Sequence, residues 1–264
     1  MQREGGSMRR TATSTKSVSK TSELDEIGAP VEVRRHPRAR RLTLRVSRTR
    51  RAVIVTVPVQ CDLGEADSFI IRNIDWVRER LDSVPHPVPF RDGALMPLRG
   101  EINRLVFTAK HEAGGVVQPR KPAVGAPELC VSGHVEHAPR RLRDWLFEEA
   151  RRDLDARTMH HSRKLRVAAK RIAVRDQSSR WGSCSTTGVL SFSWRLVLAP
   201  PFVLDYVAAH EMAHLVEMNH GAKFWALVEQ TMPRMQEAKL WLQRYGLDLH
   251  RYGPAERKSD QHAR

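Results

Sequence analysis

Aromatic residues make up only 6% of this 264-residue chain, with three tyrosines, and cysteine occurs only at Cys61, Cys130 and Cys184. Three widely spaced thiols cannot form a disulfide framework, which argues against a small stapled secreted scaffold and for a reducing cytoplasm. Long apolar runs are missing as well. The longest, residues 196–204, is broken by Pro200 and Pro201, well short of the roughly 20 residues that span a bilayer. The first 20 residues are basic and rich in Ser and Thr without an apolar core, so neither a secretory signal nor a membrane partner is expected. Acidic charge is scarce: 30 Asp and Glu stand against 45 Lys and Arg, a net charge of +15. The remainder, 41% hydrophobic and 28% charged, suffices for one large domain or two small ones.

The excess charge is unevenly placed. Residues 1–50 hold 13 Lys and Arg against 5 Asp and Glu, a net +8. Arg34, Arg35, Arg38, Arg40 and Arg41 lead into a strand pattern. Such a stretch is either a solvated basic face or a surface for an anionic polymer, with nucleic acid as the candidate partner.

Four segments follow from the patterning. Residues 1–30 form a polar tail, 31–135 a basic strand-rich module, 136–250 the segment that carries chemistry, and 251–264 a second polar tail. Residues 42–46 and 52–57 alternate apolar with polar positions around a basic turn, a hairpin pattern ended by Pro58. Residues 62–81 have helical periodicity with Asp62 as N-cap. Short strands are expected near 102–108 and 128–131, and a long helix over 138–165. Residues 190–198 place Leu190, Phe192, Trp194, Leu196 and Leu198 at every second position. That predicts one half-buried strand, a candidate edge for pairing with a substrate peptide. Helices are expected from 202 to about 218, over 224–232 and over 235–245, with Gly246 at the left-handed C′ position.

The helix from 202 carries His210-Glu211-Met212-Ala213-His214, and His220 follows six residues later. Imidazoles four apart share one helix face and can reach one ion. Six further residues of continuous helix would turn His220 away, so the helix must break, and Asn219 and Gly221 are residue types that enter left-handed turns. Three neutral histidines around a zinc ion leave one position open, the arrangement of a catalytic site rather than a structural one. Glu211 is the candidate general base and acid, and an Arg, His or Tyr of this segment would make the second contact to the reacting oxygen. Cys184 has no second cysteine near it and is not expected to be nucleophile or ligand. His111, His134, His137, His160 and His161 are expected at the surface or in loops. The substrate is then a protein or peptide. A zinc hydrolase of another amide or ester remains an alternative, as does a nucleic-acid-binding protein whose metal is structural.

The runs 180–185, 194–200, Asp205-Tyr206, 210–214 with Asn219-His220, and Phe224-Trp225 make the chain resemble the YgjP-like zinc metallopeptidases, relatives of SprT-like peptidases. The resemblance is strong over 177–242 and looser back to Val31. It implies an α+β fold with a zincin-like core, His210, His214 and His220 as zinc ligands, and Glu211 as catalytic acid/base. Met212 stands where leucine is more usual in that family.

Overall fold

The computed structural model of the chain describes residues 15–17, 27–109 and 115–254. Most of the expected tails, and His111, lie outside the described residues. The chain divides into two compact units, Met1–Pro85 and His86–Arg264.

In the first unit β1 (Thr15–Ser17), β2 (Val31–Arg35), β3 (Thr43–Ser47) and β4 (Ala52–Val57) form one sheet in the order β1-β2-β4-β3. The expected hairpin is present: β3 and β4 are antiparallel, with Thr43 opposite Thr56 and Ser47 opposite Ala52. Alternation puts Val33, Val53, Val55 and Val57 on one face, where they are buried with Ala66, Ile70, Val77 and Leu81. Those last four come from α1 (Leu63–Ile71) and α2 (Ile74–Asp82). The periodicity predicts a single helix over 62–81, and the structure breaks it. The Asn73 side-chain amide donates to the Phe69 carbonyl at 2.8 Å, satisfying a helix acceptor from the side and letting the chain turn. Asp62 does cap α1, its carboxylate accepting from the Gly64 amide at 3.1 Å. Arg51, at φ 44° in the β3–β4 turn, donates to the Leu81 and Val84 carbonyls at 2.6 and 2.8 Å, closing the C-terminal end of α2.

The second unit contains a mixed sheet of β6 (Leu95–Leu98), β7 (Glu101–Thr108), β8 (Val117–Arg120) and β9 (Glu128–Ser132), ordered β6-β7-β9-β8. A small pair joins β5 (Val88–Pro89) to β13 (Tyr252–Gly253). The long helix α3 runs from Ala138 to Leu165, as its periodicity predicts. Its first half buries Leu142, Leu146 and Ala150 against the mixed sheet, and its second half buries Leu154 in a core with β12, α4 and the helices that follow. The expected division at 135/136 therefore does not match the compact units: residues 86–135 pack into the unit that carries the His-Glu motif.

A three-stranded sheet follows, made of β10 (Arg171–Arg175), β11 (Gly182–Cys184) and β12 (Val189–Ser193) in the order β10-β12-β11. The strand expected over 190–198 ends at Ser193. Its hydroxyl accepts from the Arg195 amide, and residues Trp194–Leu198 wind into a 3-10 turn. The tip of the β6–β7 hairpin, Arg99 and Gly100 with φ 51° and 82°, donates its two amides to the Val197 and Leu198 carbonyls. Arg99 also reaches Glu149 and Asp153 on α3 at 2.7–2.8 Å. Carbonyls that a strand would have paired thus go to the hairpin, a contact between residues about 100 apart. The helices α4 (Pro201–Ala213), α5 (Ala222–Thr231) and α6 (Met235–Tyr245) complete the unit. Gly246 is not left-handed (φ −58°). A Cβ there would stand 3.2 Å from the Trp181 ring, so it is a close-approach glycine. Among the described residues no helix is long and apolar enough to cross a membrane.

Candidate metal centre

Helix α4 is apolar on several sides, with Val203, Leu204, Val207, Ala208, Ala209, Met212 and Ala213 all buried. Burial of that stem fixes where its polar end sits. His210 and His214, one turn apart, meet edge to face with ring centroids 4.9 Å apart. The helix stops at His214, and Leu215, Val216 and Glu217 fold their amides back onto the Met212 and Ala213 carbonyls. His220 returns to the pair, its Nε2 3.1 Å from the His210 Nε2. The break is where the sequence requires it, yet neither Asn219 nor Gly221 is left-handed. Gly221 is extended (φ −80°, ψ −175°), and the turn is held by its amide bonding the Asn219 carbonyl and by the Asn219 amide bonding the Glu217 carboxylate.

One ligand atom from each of His210, His214 and His220 lies within 4.8 Å of the others. No fourth His, Cys, Asp or Glu joins this group among the described residues. The His214 Nδ1 lies 3.2 Å from the Glu217 carbonyl, which can only accept, so the proton sits on Nδ1 and Nε2 keeps its lone pair. Tyr206, one turn before His210, places its hydroxyl 3.5 Å from the His210 Nδ1. Burial, with the charges of His214 and His220, pushes His210 down to about 4. Burial also lowers His214. Neutral imidazoles with converging lone pairs fit a transition metal. Two nitrogens held about 2.05 Å from a tetrahedral zinc stand about 3.3 Å apart, close to the His210–His220 separation.

Phe224, fully buried at the start of α5, touches all three rings, its centroid 4.8, 4.5 and 4.7 Å from those of His210, His214 and His220. It is a wedge that sets the imidazoles against one another. The His-Glu motif alone gives no hint of it, although Phe224 lies four residues after His220, one helical turn away.

Glu211 is 5% exposed, and its Oε2 is buried without a hydrogen-bond partner. Burial pushes its carboxyl up to about 7, against the pull of Arg180. Arg180 itself is exposed, with no hydrogen bond or ion pair among the described residues. The Glu211 carboxylate lies against β11: a Cβ on Gly182 would fall 2.5 Å from Oε1 and 2.6 Å from Cγ. Only glycine lets the strand pass this close, which accounts for one residue of the 180–185 run. Cys184 follows on β11, where burial and the Glu211 charge raise its thiol, so it is no activated nucleophile. The strand β12, expected as an edge, is central, and β10 and β11 are the edge strands of this sheet, β11 being the one beside Glu211.

Among the histidines expected at the surface, His161 is fully buried on α3. Its Nε2 meets the Asp205 carboxylate at 2.8 Å and its Nδ1 the Thr231 hydroxyl at 2.7 Å. Arg157 closes the set with two bonds to Asp205, at 2.6 and 2.7 Å. This network ties α3, α4 and α5 together behind the histidine cluster.

The sequence matches the YgjP-like family, described as YgjP-like, metallopeptidase domain, over residues 40–245. Among solved structures, a metallopeptidase zymogen, abylysin of Pyrococcus abyssi, is similar at 19% identity with a TM-score of 0.32. The similarity covers 34% of this chain and 94% of that one. A comparison with curated proteins gives no match.

Proposed function

The chain belongs to the YgjP-like metallopeptidase family, and from that premise we propose that it hydrolyses peptide bonds with zinc held by His210, His214 and His220. The observation that carries this reading is the convergence of three imidazoles beside a buried carboxyl group with an unpartnered oxygen. A zinc ion there supplies Lewis acidity toward a carbonyl oxygen and toward water. Glu211, lifted toward neutrality by burial, takes the proton of the attacking water and returns it to the departing amine. Arg180, an exposed guanidinium at the entry to β11, meets the oxygen that gains charge. The free edge of β11 offers backbone groups to an extended substrate beside Glu211. A structural-metal reading needs a fourth protein ligand, for which the described residues supply no candidate.

The test is elemental analysis of the purified chain, followed by mass spectrometry of a peptide library and of a panel of simple esters and non-peptide amides. Stoichiometric zinc with cleavage at internal peptide bonds, lost to a chelator and restored by zinc, is expected. Turnover of esters or simple amides with an untouched peptide library would replace peptide hydrolysis by the alternative chemistry.

Gly182→Ala probes the contact between β11 and Glu211. The new methyl cannot fit at 2.5 Å from Oε1, so either Glu211 or the strand must shift. A roughly tenfold or greater loss of kcat is expected, because an ångström of misplacement at a reacting group is costly. Zinc content should stay as in wild type. Unchanged kcat would show that Glu211 is not held where the chemistry needs it.

A further inference from the structure

The nine arginines of residues 31–60 do not play one role. Four are engaged within the first unit. Arg34 and Arg50 share Glu32, at 3.0 and 2.8 Å. Arg35 donates to the Val59 and Cys61 carbonyls at 2.7 and 2.6 Å, and Arg51 closes the end of α2. The other five, Arg38, Arg40, Arg41, Arg45 and Arg48, are exposed and have no hydrogen bond or ion pair from their side chains among the described residues. They are not scattered. Arg45 lies on β3, the edge strand of the sheet, Arg48 in the turn that follows it, and Arg38, Arg40 and Arg41 in the segment that leads into it.

From these placements we infer that the β3 edge is a binding surface for the phosphate backbone of double-stranded nucleic acid. Three features select that partner. The cluster is all arginine, with no lysine anywhere in residues 31–60, and the guanidinium fork matches phosphate in two-pronged bonds. The strand and its two ends extend roughly 20 Å at about 3.3 Å per residue, over half a turn of duplex. Residues 27–68 contain no Phe, Tyr or Trp, so the surface lacks the stacking platforms by which single strands are held. Lipid is disfavoured because the exposed positions carry no apolar group to enter a bilayer interface. Recognition by such an edge is independent of sequence. It would bring the second unit to substrates on nucleic acid, yet it stands or falls separately from the hydrolytic reading.

The experiment uses the full chain and a labelled 20-base-pair duplex, with anisotropy titrations across a series of salt concentrations. One variant replaces Arg38, Arg40, Arg41, Arg45 and Arg48 with glutamine. A control of equal net charge replaces Arg140, Arg143, Arg151, Arg152 and Arg163 on α3. The wild type should bind the duplex with an affinity that falls steeply with salt, and the control should behave alike. In the edge variant the slope of log affinity against log salt should drop by about 0.9 for each phosphate that no longer meets a guanidinium. Equal weakening in the control would show that net charge alone is at work and overturn the proposal. So would tighter binding of a single strand of the same length, or of an acidic polypeptide, than of the duplex. Melting temperature, read in parallel, should not move in the edge variant, since these side chains bond to nothing in the fold.

Discussion

Replacing Glu211 with glutamine is expected to lower peptide hydrolysis by about 10²- to 10⁴-fold, the usual contribution of a positioned acid–base group. Zinc content and melting temperature should stay close to wild type. The prediction rests on a conflict inside the fold. Glu211 is buried with one carboxylate oxygen unpaired, an arrangement that costs stability and that folded proteins rarely keep without a use for it. Glutamine has nearly the same shape and carries no charge, so the fold should lose little when the carboxyl goes. Only the proton transfer is lost, and it should appear in kcat and in kcat/KM alike. Activity within tenfold of wild type would remove Glu211 from the mechanism. Zinc lost in step with activity would move it into the ligand set instead.

The parts of this molecule legible in its sequence are those fixed by local periodicity. The helix Ala138–Leu165, the β3–β4 hairpin and the helix Met235–Tyr245 each carry their pattern within themselves, and the need for a break between His214 and His220 follows from helical pitch alone. The differences share another origin. Residues 194–198 continue the alternation of β12, but the β6–β7 hairpin tip takes the Val197 and Leu198 carbonyls, a bond that no window of local sequence contains. Gly246 reads as a helix stop and is a seat for the Trp181 ring. Gly182 lies in the 180–185 run without any local sign of its role, and it is pressed against Glu211. His161 falls on what reads as a polar stripe of α3, and only the folded arrangement of α3, α4 and α5 brings Asp205 and Thr231 to its two nitrogens. The histidine cluster itself is visible in the sequence because the proposed metal ligation calls for a fixed spacing. The Phe224 wedge is not, because packing on a ring imposes none.

Removing Asp205 should have a large effect on stability. Its carboxylate holds Arg157 by two bonds and the fully buried His161 by a third. Burial alone would raise the carboxyl, and the hydrogen bonds of His161 and Arg157 outweigh it and hold it below the usual carboxylate range. Asp205→Ala leaves a buried imidazole nitrogen without an acceptor and a half-exposed guanidinium without its charge partner. A loss of about 3 kcal/mol is expected, roughly a hundredfold in the folding equilibrium. Asp205→Asn keeps the shape and one acceptor and should lose about a third of that. The pH dependence separates this network from simple packing. A carboxyl depressed in the folded state contributes stability that is complete above its unfolded value, near pH 4, and disappears as the pH falls through its folded value. The gap in unfolding free energy between wild type and Asp205→Ala should therefore be flat from neutral pH down to about pH 4 and shrink below it. Denaturant titrations at a series of pH values measure that gap. A difference under about 0.5 kcal/mol at neutral pH, within the range of ordinary surface substitutions, would show that the network behind the histidine cluster does not hold the three helices together.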